Sequence, residues 1–182
     1  SEMCIRDRSW IAMSLFGALL FVLTGDIPNY IDALFETISG LTTTGASVVT
    51  APEEMTRGGM FWRLFTHWIG GMGILVFVLA VLPMSGNRSM HIMRAEVPGP
   101  TVGKLVPRIR KTASILYLLY IALTLVEMVL LIAGGMSFYD ALLHAFATAG
   151  TGGLSTRALS IGYYNSAYID IVVGLSLIHI SE

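Results

Sequence analysis

Two segments of this chain share a pattern in which a short helix leads into a loop of threonine and glycine. "IDALFETISGLTTTGAS" at 31–47 aligns without gaps to "YDALLHAFATAGTGGLS" at 139–155. Chemically similar positions coincide along the alignment: Asp32 with Asp140, Thr43 with Thr151, Gly45 with Gly153, and Ser47 with Ser155. Self-similarity at a fixed spacing indicates a repeat architecture, as in many transport proteins.

The composition predicts an integral membrane protein. The chain has 182 residues, of which 54% are hydrophobic and 13% are charged, and its mean hydropathy is +0.72. Soluble domains carry roughly 25% charged residues. The 19 glycines suit close packing between membrane helices. The single cysteine excludes an internal disulfide framework.

The two ends of the chain read as translated sequencing adapter rather than as protein. The tail "LSLIHISE" can be encoded by a sequence whose reverse complement, shifted by one frame, reads "SEMCIRD", which is the start of the chain. Such segments are set aside before the fold is considered. We therefore expect 1–8 and 175–182 to carry no function, and the rest to be an internal fragment of a longer protein.

Apolar runs between these ends predict an all-α membrane protein built from units of span, short helix, loop and span. The first unit covers 9–84, a basic loop covers 85–112, and a second unit, cut short in its closing span, covers 113–174. The expected spans are Trp10–Leu23, Met60–Pro83, Ala113–Ala133 and a segment that starts at Ala167.

Each unit contains a helix that is too short to cross a bilayer, which takes about 20 residues. The first covers Ile31–Ser39, with Ile31, Leu34, Phe35 and Ile38 on one face and Pro28 placed to open it. The second covers Phe138–Thr148. Asp32 and Asp140 fall early in these helices, where a carboxylate complements the helix dipole.

Basic residues indicate the orientation of the chain. Between the two units there is one acid, Glu96, and six basic residues: Arg88, Arg94, Lys104, Arg108, Arg110 and Lys111. The positive-inside rule places this loop in the cytoplasm. Both short helices then enter the membrane from the outer face, and their loops face outward.

The loops that follow the short helices have the chemistry of a monovalent cation site. Non-helical backbone at membrane depth has to be buried in protein or line a water-filled path. The carbonyl end of a helix favours a cation, and loop carbonyls can replace its hydration shell. The candidate ligands are Thr42, Thr43, Thr44, Gly45, Gly150, Thr151, Gly152 and Gly153. Neither loop contains a carboxylate, which argues against a tight divalent site.

Longer motifs resemble one known family. "DALFETISGLTTTGASVV", "FWRLFTHWIGGMGILV" and "RAEVPGPTVGKLVPRIRKTA" are similar to the Trk family of potassium uptake subunits, within the Trk/Ktr/HKT superfamily. The resemblance covers nearly all of 9–174. It implies four span–pore helix–span repeats around one ion path, of which this chain holds about one and a half.

The resemblance also implies a function and partners. Residues 42–45 and 150–153 would each form one quarter of a potassium filter, with K⁺ as the transported ion and no organic cofactor. The protein would be a multi-pass protein of the bacterial inner membrane and not an enzyme. It would form a homodimer in the lipid bilayer, dock a cytoplasmic nucleotide-binding regulatory subunit, and bind no nucleic acid.

Three ionisable residues lie within the expected spans, where such groups are functional candidates. We expect Arg63 to anchor the outer end of its span by snorkelling. His67 is expected to pack through a hydrogen bond, with a proton relay as the alternative. Glu127 is expected to pair with another helix, with direct ion coordination as the alternative.

Other residues around the loops have expected structural roles. Glu36 and His144 occupy matching positions and are expected to brace their helices. Arg157 either braces the second loop through its carbonyls or lies exposed at the surface. Gly70, Gly71 and Gly73 read as close-packing positions, because "GGMG" follows no strand and lacks the lysine of a phosphate-binding loop.

Other functions stay open beside potassium uptake. Glycine at position 45 favours potassium, but a sodium-permeable transporter, or one coupled to protons or sodium, fits the same superfamily. A membrane protein whose repeats only pack is a further alternative. An intramembrane enzyme using His67 or His144 with a serine lacks a Gly-x-Ser-x-Gly elbow and a His-Glu-x-x-His pair.

Overall fold

A computed structural model describes residues 3–73 and 106–181, and within these residues the chain is all-α. The helices, which we number α1 to α6, are Met3–Thr24, Tyr30–Leu41, Arg57–Gly71, Val106–Ala133, Phe138–Ala149 and Ala167–Ser181. Short 3₁₀ turns at Pro52–Glu54 and Ser160–Tyr164 precede α3 and α6. The prediction of an all-α protein is therefore confirmed.

Both short helices start with a side-chain cap. In α2 the cap is Asn29, whose Oδ1 accepts a hydrogen bond from the N–H of Ile31 at 3.0 Å. Pro28 therefore lies before the cap, and the prediction that it opens the helix is wrong. In α5 the cap is Ser137, whose Oγ accepts from the N–H of Asp140 at 3.2 Å. Such caps satisfy backbone donors that a helix start leaves free.

Three apolar clusters hold the helices together. One joins α1 to α2 through Ala18, Phe21, Ile27 and Ala33. A second joins α4, α5 and α6 through Leu131, Met136, Ala141, Ile169, Val172 and Val173. The third joins α3 to α5 and the loop after it through Met60, Leu64, Leu143, Ala147 and Leu154. This third cluster links the two sequence repeats, so the first unit is packed against the second.

On α2, several large apolar side chains are exposed, while small and polar ones are buried. Ile31, Phe35 and Ile38 are exposed, and the buried set is Ala33, Glu36, Thr37, Ser39, Gly40 and Leu41. Small residues at helix contacts are typical of membrane proteins, where lipid is as apolar as leucine. One helical stretch in the described part of the chain, Ser114–Ala133, is long and apolar enough to span a membrane.

Two predicted boundaries differ from the structure. Helix α3 ends at Gly71, and Gly73 takes a left-handed φ of 66°, so the continuous span predicted for Met60–Pro83 is interrupted. Helix α4 begins at Val106, inside the loop predicted for 85–112, because proline is tolerated in a first helical turn. The rest of that loop and residues 74–84 lie outside the described residues.

The two ends of the chain are helical in the structure. Helix α1 begins at Met3 and α6 runs to Ser181, so secondary structure does not separate 1–8 and 175–182 from their neighbours. The adapter interpretation of these segments stays a prediction.

Helix α3 is wedged between the ends of α2 and α5, and its glycines make this possible. A Cβ on Gly70 would collide with the carbonyl of Leu41. A Cβ on Gly71 would lie 2.6 Å from the hydroxyl of Tyr120 and 2.8 Å from the Cα of Gly150. Gly70 and Gly71 are therefore close-packing positions, as the sequence predicted.

Replacing Gly70 by alanine should destabilise the protein. The new methyl group would force α3 away from α2, at a cost of about 1–3 kcal/mol for overpacking. The matched control is Gly58→Ala in the same helix, where a Cβ meets nothing within 4 Å and alanine improves helix propensity. Thermal unfolding of the purified protein in detergent measures both. Equal melting temperatures for the two variants would contradict the wedge.

Candidate functional site

The loop after α2 begins with a Schellman turn. Thr42 caps the helix, the N–H of Thr43 donates to the carbonyl of Gly40 at 3.1 Å, and the N–H of Thr44 donates to that of Ser39 at 3.0 Å. These are the two hydrogen bonds that define this way of ending a helix.

The loop after α5 has the same backbone. Gly150 caps the helix, the N–H of Thr151 donates to the carbonyl of Thr148 at 2.9 Å, and the N–H of Gly152 donates to that of Ala147 at 3.1 Å. Each of these atoms is the repeat counterpart of one in the first loop. The two segments thus share a local structure as well as a sequence pattern.

Both turns place a threonine where glycine is preferred. Thr43 and Thr151 each have φ 53°, and Gly45 and Gly153 follow with φ 75° and 71°. A left-handed conformation is a clear outlier for a β-branched residue. Strained residues that recur in matching positions point to function. Both threonines are predicted ligands, but their left-handed backbone is visible only in the structure.

The structure brings the two loops into contact. A Cβ on Gly45 would collide with the carbonyl oxygen of Gly152, so the backbones meet there with no room for a side chain. Nearby, the hydroxyls of Thr42 and Thr44 lie 2.8 Å apart, and both residues are exposed. The two predicted loops therefore lie side by side at the ends of α2 and α5, with their backbones in contact at Gly45 and Gly152.

Matching polar pairs hold each loop to its helix. Ser47 donates through Oγ to Glu36 Oε1 at 3.0 Å, and the N–H of Val48 donates to Glu36 Oε2 at 3.0 Å. In the second repeat, Nε2 of His144 lies 2.9 Å from the hydroxyl of Ser155. Glu36 and His144 thus tie their helices to the serine that follows each loop. The alignment of Ser47 with Ser155 is the signal that could have found these pairs.

Arg63 connects the two repeats behind the loops. Its Nε donates to Glu36 Oε1 at 2.6 Å, and one terminal nitrogen donates to Ser47 Oγ at 2.8 Å. The other donates to the carbonyl of Ser155 at 3.3 Å. Only 3% of Arg63 is exposed, so the prediction that it snorkels as an anchor is wrong. A buried carboxylate within reach holds the guanidinium inside.

Two further contacts join the repeats at exposed positions on the protein surface. The N–H of Ala158 donates to Glu53 Oε1 at 2.7 Å, and this hydrogen bond lowers the pKa of Glu53 below its usual 4.5. The contact is therefore present at neutral pH and is lost as the pH falls through the lowered pKa. The hydroxyl of Tyr139 also donates to the carbonyl of Arg57 at 2.5 Å.

Arg157 pairs with a side chain in the first turn of α5. Its guanidinium lies 3.9 Å from Asp140 Oδ2 and stacks over the ring of Tyr163. Asp140 also accepts a hydrogen bond from the hydroxyl of Thr156 at 3.1 Å. Arg157 thus contacts the start of α5, at the opposite end of that helix from the loop.

Two other ionisable residues are buried near the loops. His67 is 0% exposed and Glu127 is 1% exposed. Within the part of the chain that the structure describes, neither ring nitrogen of His67 makes a well-aligned hydrogen bond, although the backbone of Arg63 lies near the ring. Neither oxygen of Glu127 makes one either, but the side chain of Thr148 on α5 lies beside the carboxyl group. Thr148 is therefore the group on another helix that Glu127 faces.

Comparison with known proteins identifies the family. The model of the TrkH family, described as a cation transport protein, matches residues 2–181. The chain belongs to this family. It is 42% identical over 171 residues to the Trk system potassium uptake protein TrkH of Halomonas elongata. It is 41% identical over 172 residues to the protein of the same name from Escherichia coli K12.

A solved member of the family has the same fold. The crystal structure of the potassium transporter TrkH from Vibrio parahaemolyticus matches with a TM-score of 0.73 and 34% identity, over 93% of this chain and 33% of that one. The chain likewise covers 36% of the Halomonas protein and 35% of the Escherichia protein, with 93% of its own length aligned in each case. It thus spans about a third of its relatives, and the prediction of an all-α membrane protein is confirmed.

Replacing Thr43 by glycine should leave the stability of the protein nearly unchanged while it alters ion binding at the loop. Glycine removes about 1–2 kcal/mol of left-handed strain but adds a comparable unfolded-state entropy, so stability should change little. If the loop binds a transported cation, loss of the hydroxyl should lower selective rubidium influx through the full-length protein. The matched control is Ser160→Gly, which has the same φ of 53° outside the loops and should leave influx unchanged. Equal influx in both variants would argue against a role for Thr43.

Replacing Arg63 by methionine should strongly destabilise the protein. It leaves Glu36 buried without its cation, which costs about 3–5 kcal/mol. Adding Glu36→Gln should recover much of this loss, because the uncompensated charge is then removed. Thermal unfolding in detergent measures the effect, with Arg57→Met at an exposed arginine as control. The account fails if Arg63→Met melts at the same temperature as Arg57→Met.

Proposed function

We propose that this chain forms part of a potassium uptake transporter, in which the two loops after α2 and α5 are neighbouring parts of a filter for K⁺. The observation that carries the proposal is the duplicated helix end. Two loops with the same backbone hydrogen bonds and the same left-handed threonine meet at Gly45 and Gly152. Two relatives in the family are named as potassium uptake proteins, and these names support the choice of ion.

The proposed ligands are oxygens from residues 42–45 and 150–153. Carbonyl and hydroxyl oxygens suit a large, weakly hydrated monovalent ion. Among the described residues, no group of three or more His, Cys, Asp or Glu side chains is placed to hold a metal ion. The C-terminal ends of α2 and α5 both lead into the loops, so their dipoles add a negative potential there.

The proposed transporter needs more than this chain. In the four-repeat arrangement, 9–84 supplies one repeat, 113–174 supplies part of the next, and further repeats close the ion path. The protein would lie in the bacterial inner membrane as a homodimer, with the loops facing outward. Region 85–112 would lie on the cytoplasmic side, where a nucleotide-binding regulatory subunit docks. Transport would need K⁺ alone, without an organic cofactor or an enzymatic step.

A sodium-permeable or coupled transporter is the second candidate. Glycine at positions 45 and 153 favours potassium, because a side chain there would narrow the path and favour sodium. The carboxyl group of Glu127, buried beside Thr148 of α5, is the observation that favours coupling. No salt bridge to it is seen within 3–73 and 106–181, and a buried carboxylate without a cation is expected to take up a proton.

Replacing Gly45 by serine should weaken the preference for potassium over sodium. The side chain would collide with the Gly152 carbonyl, and we expect a loss of roughly tenfold, the ratio that about 1.4 kcal/mol of differential binding produces. Gly153→Ser should act in the same direction through its left-handed φ of 71°. The assay is rubidium influx, with and without competing sodium, into cells that lack their own potassium uptake and express the uninterrupted gene.

The control for both variants is Gly162→Ser, in the outer 3₁₀ turn, where a Cβ meets nothing within 4 Å. It should keep the parent's ion preference. Unchanged preference in both Gly45→Ser and Gly153→Ser, with the proteins present in the membrane, would overturn the filter assignment. Absence of influx in the parent, with the regulatory subunit supplied, would overturn potassium uptake itself.

A further inference from the structure

The side chain of His67 lies directly behind the second loop. A Cβ on Gly152 would collide with the edge of its imidazole ring, at Cδ2 and Nε2. The backbone carbonyl of His67 would lie 2.5 Å from a Cβ on Gly150, and its Nδ1 would lie 3.5 Å from a Cβ on Gly40. The residue therefore occupies the space between the end of α2 and the loop that follows α5.

The first loop lies against the same glycine. The carbonyl oxygen of Gly152 points at Gly45 of the first loop, while the imidazole ring of His67 lies against Gly152 at the position of a side chain. Gly152 thus lies between the imidazole ring of His67 on α3 and the backbone of Gly45 in the loop after α2. A smaller side chain at position 67 would remove the contact that supports Gly152 on the side away from Gly45.

The backbone of Gly152 does not itself require glycine. Its φ lies outside the left-handed region, unlike those of Gly45 and Gly153. An alanine could adopt this conformation, so the ring of His67 is what excludes a side chain. Position 152 is therefore constrained by space, and position 153 by backbone conformation.

The ring contributes volume rather than hydrogen bonds. Among the described residues, neither of its nitrogens makes a well-aligned hydrogen bond, although the backbone of Arg63 lies near the ring, and the ring is fully buried. The hydroxyl of the adjacent Thr66 donates to the carbonyl of Arg63 at 2.7 Å, so its proton is not given to the ring. A side chain of similar size and without nitrogen atoms should fill the same space.

We propose that His67 is a positioning residue for ion selectivity, which sets the distance between the two loops by supporting Gly152 from behind. This inference rests on the proposed function, because it assumes that the two loops coordinate one ion. It differs from a proton relay, which would need the nitrogens, and from a general packing role, which would not change ion preference.

The test is a double-mutant cycle in the full-length transporter, read out as rubidium influx against competing sodium. His67→Ala removes the support, and we expect the potassium preference to fall about tenfold, as when an outer-shell partner of a metal ligand is lost. Gly152→Ala alone should also lower it, through the collision. The double variant should be more selective than either single variant, because the new methyl group then enters the vacated space.

Two controls separate this role from a structural one. Gly153→Ala places its Cβ where nothing lies within 4 Å, so its defect comes from backbone strain and His67→Ala should not relieve it. His67→Leu keeps the volume without nitrogens and should retain nearly the parent's preference. Thermal unfolding of each variant accounts for loss of folded protein, and the preference is a ratio that protein amount does not change.

The outcomes distinguish this inference from the function on which it rests. Selective influx in the parent with no rescue in the double variant would overturn the role of His67 and leave the filter intact. Loss of preference in His67→Leu equal to that in His67→Ala would overturn the claim that volume is what matters. A parent without selective influx would overturn the proposed function, and this inference with it.

Discussion

The arrangement of the two loops depends on the contacts of one buried group, the guanidinium of Arg63. It joins a carboxylate on α2, a serine after the first loop and a backbone carbonyl after the second. A buried ion pair contributes little net stability, but removal of one partner is costly because it leaves a charge without compensation. The pair therefore acts mainly by geometry, since it fixes the two halves of the candidate site to each other and to α3.

The two loops reach the same backbone with different residues. Thr42 corresponds to Gly150 and Thr44 to Gly152, yet the turn hydrogen bonds match one for one. Two positions keep both their identity and their left-handed φ: Thr43 with Thr151, and Gly45 with Gly153. Glycine would be easier to accommodate at the threonine positions, and this is a reason to propose that the threonine side chains take part in the site.

The two short helices and the loops that follow them could be predicted from the sequence, because each is specified by a short continuous segment. The two short helices are present as predicted, and α2 and α5 lie within two residues of their predicted ends. Contacts between distant segments could not be read in the same way. Arg63 looked like a membrane anchor because its partner, Glu36, belongs to another helix, and the contact of His67 with Gly152 depends on how α3 crosses α5.

Anomalous diffraction from rubidium-loaded crystals of the full-length protein tests the central claim most directly, because it locates the ion without any substitution. The account predicts a rubidium peak coordinated by backbone or hydroxyl oxygens from both 42–45 and 150–153. A peak bound elsewhere along the chain, with none between these two loops, would contradict the claim that they bind one ion together.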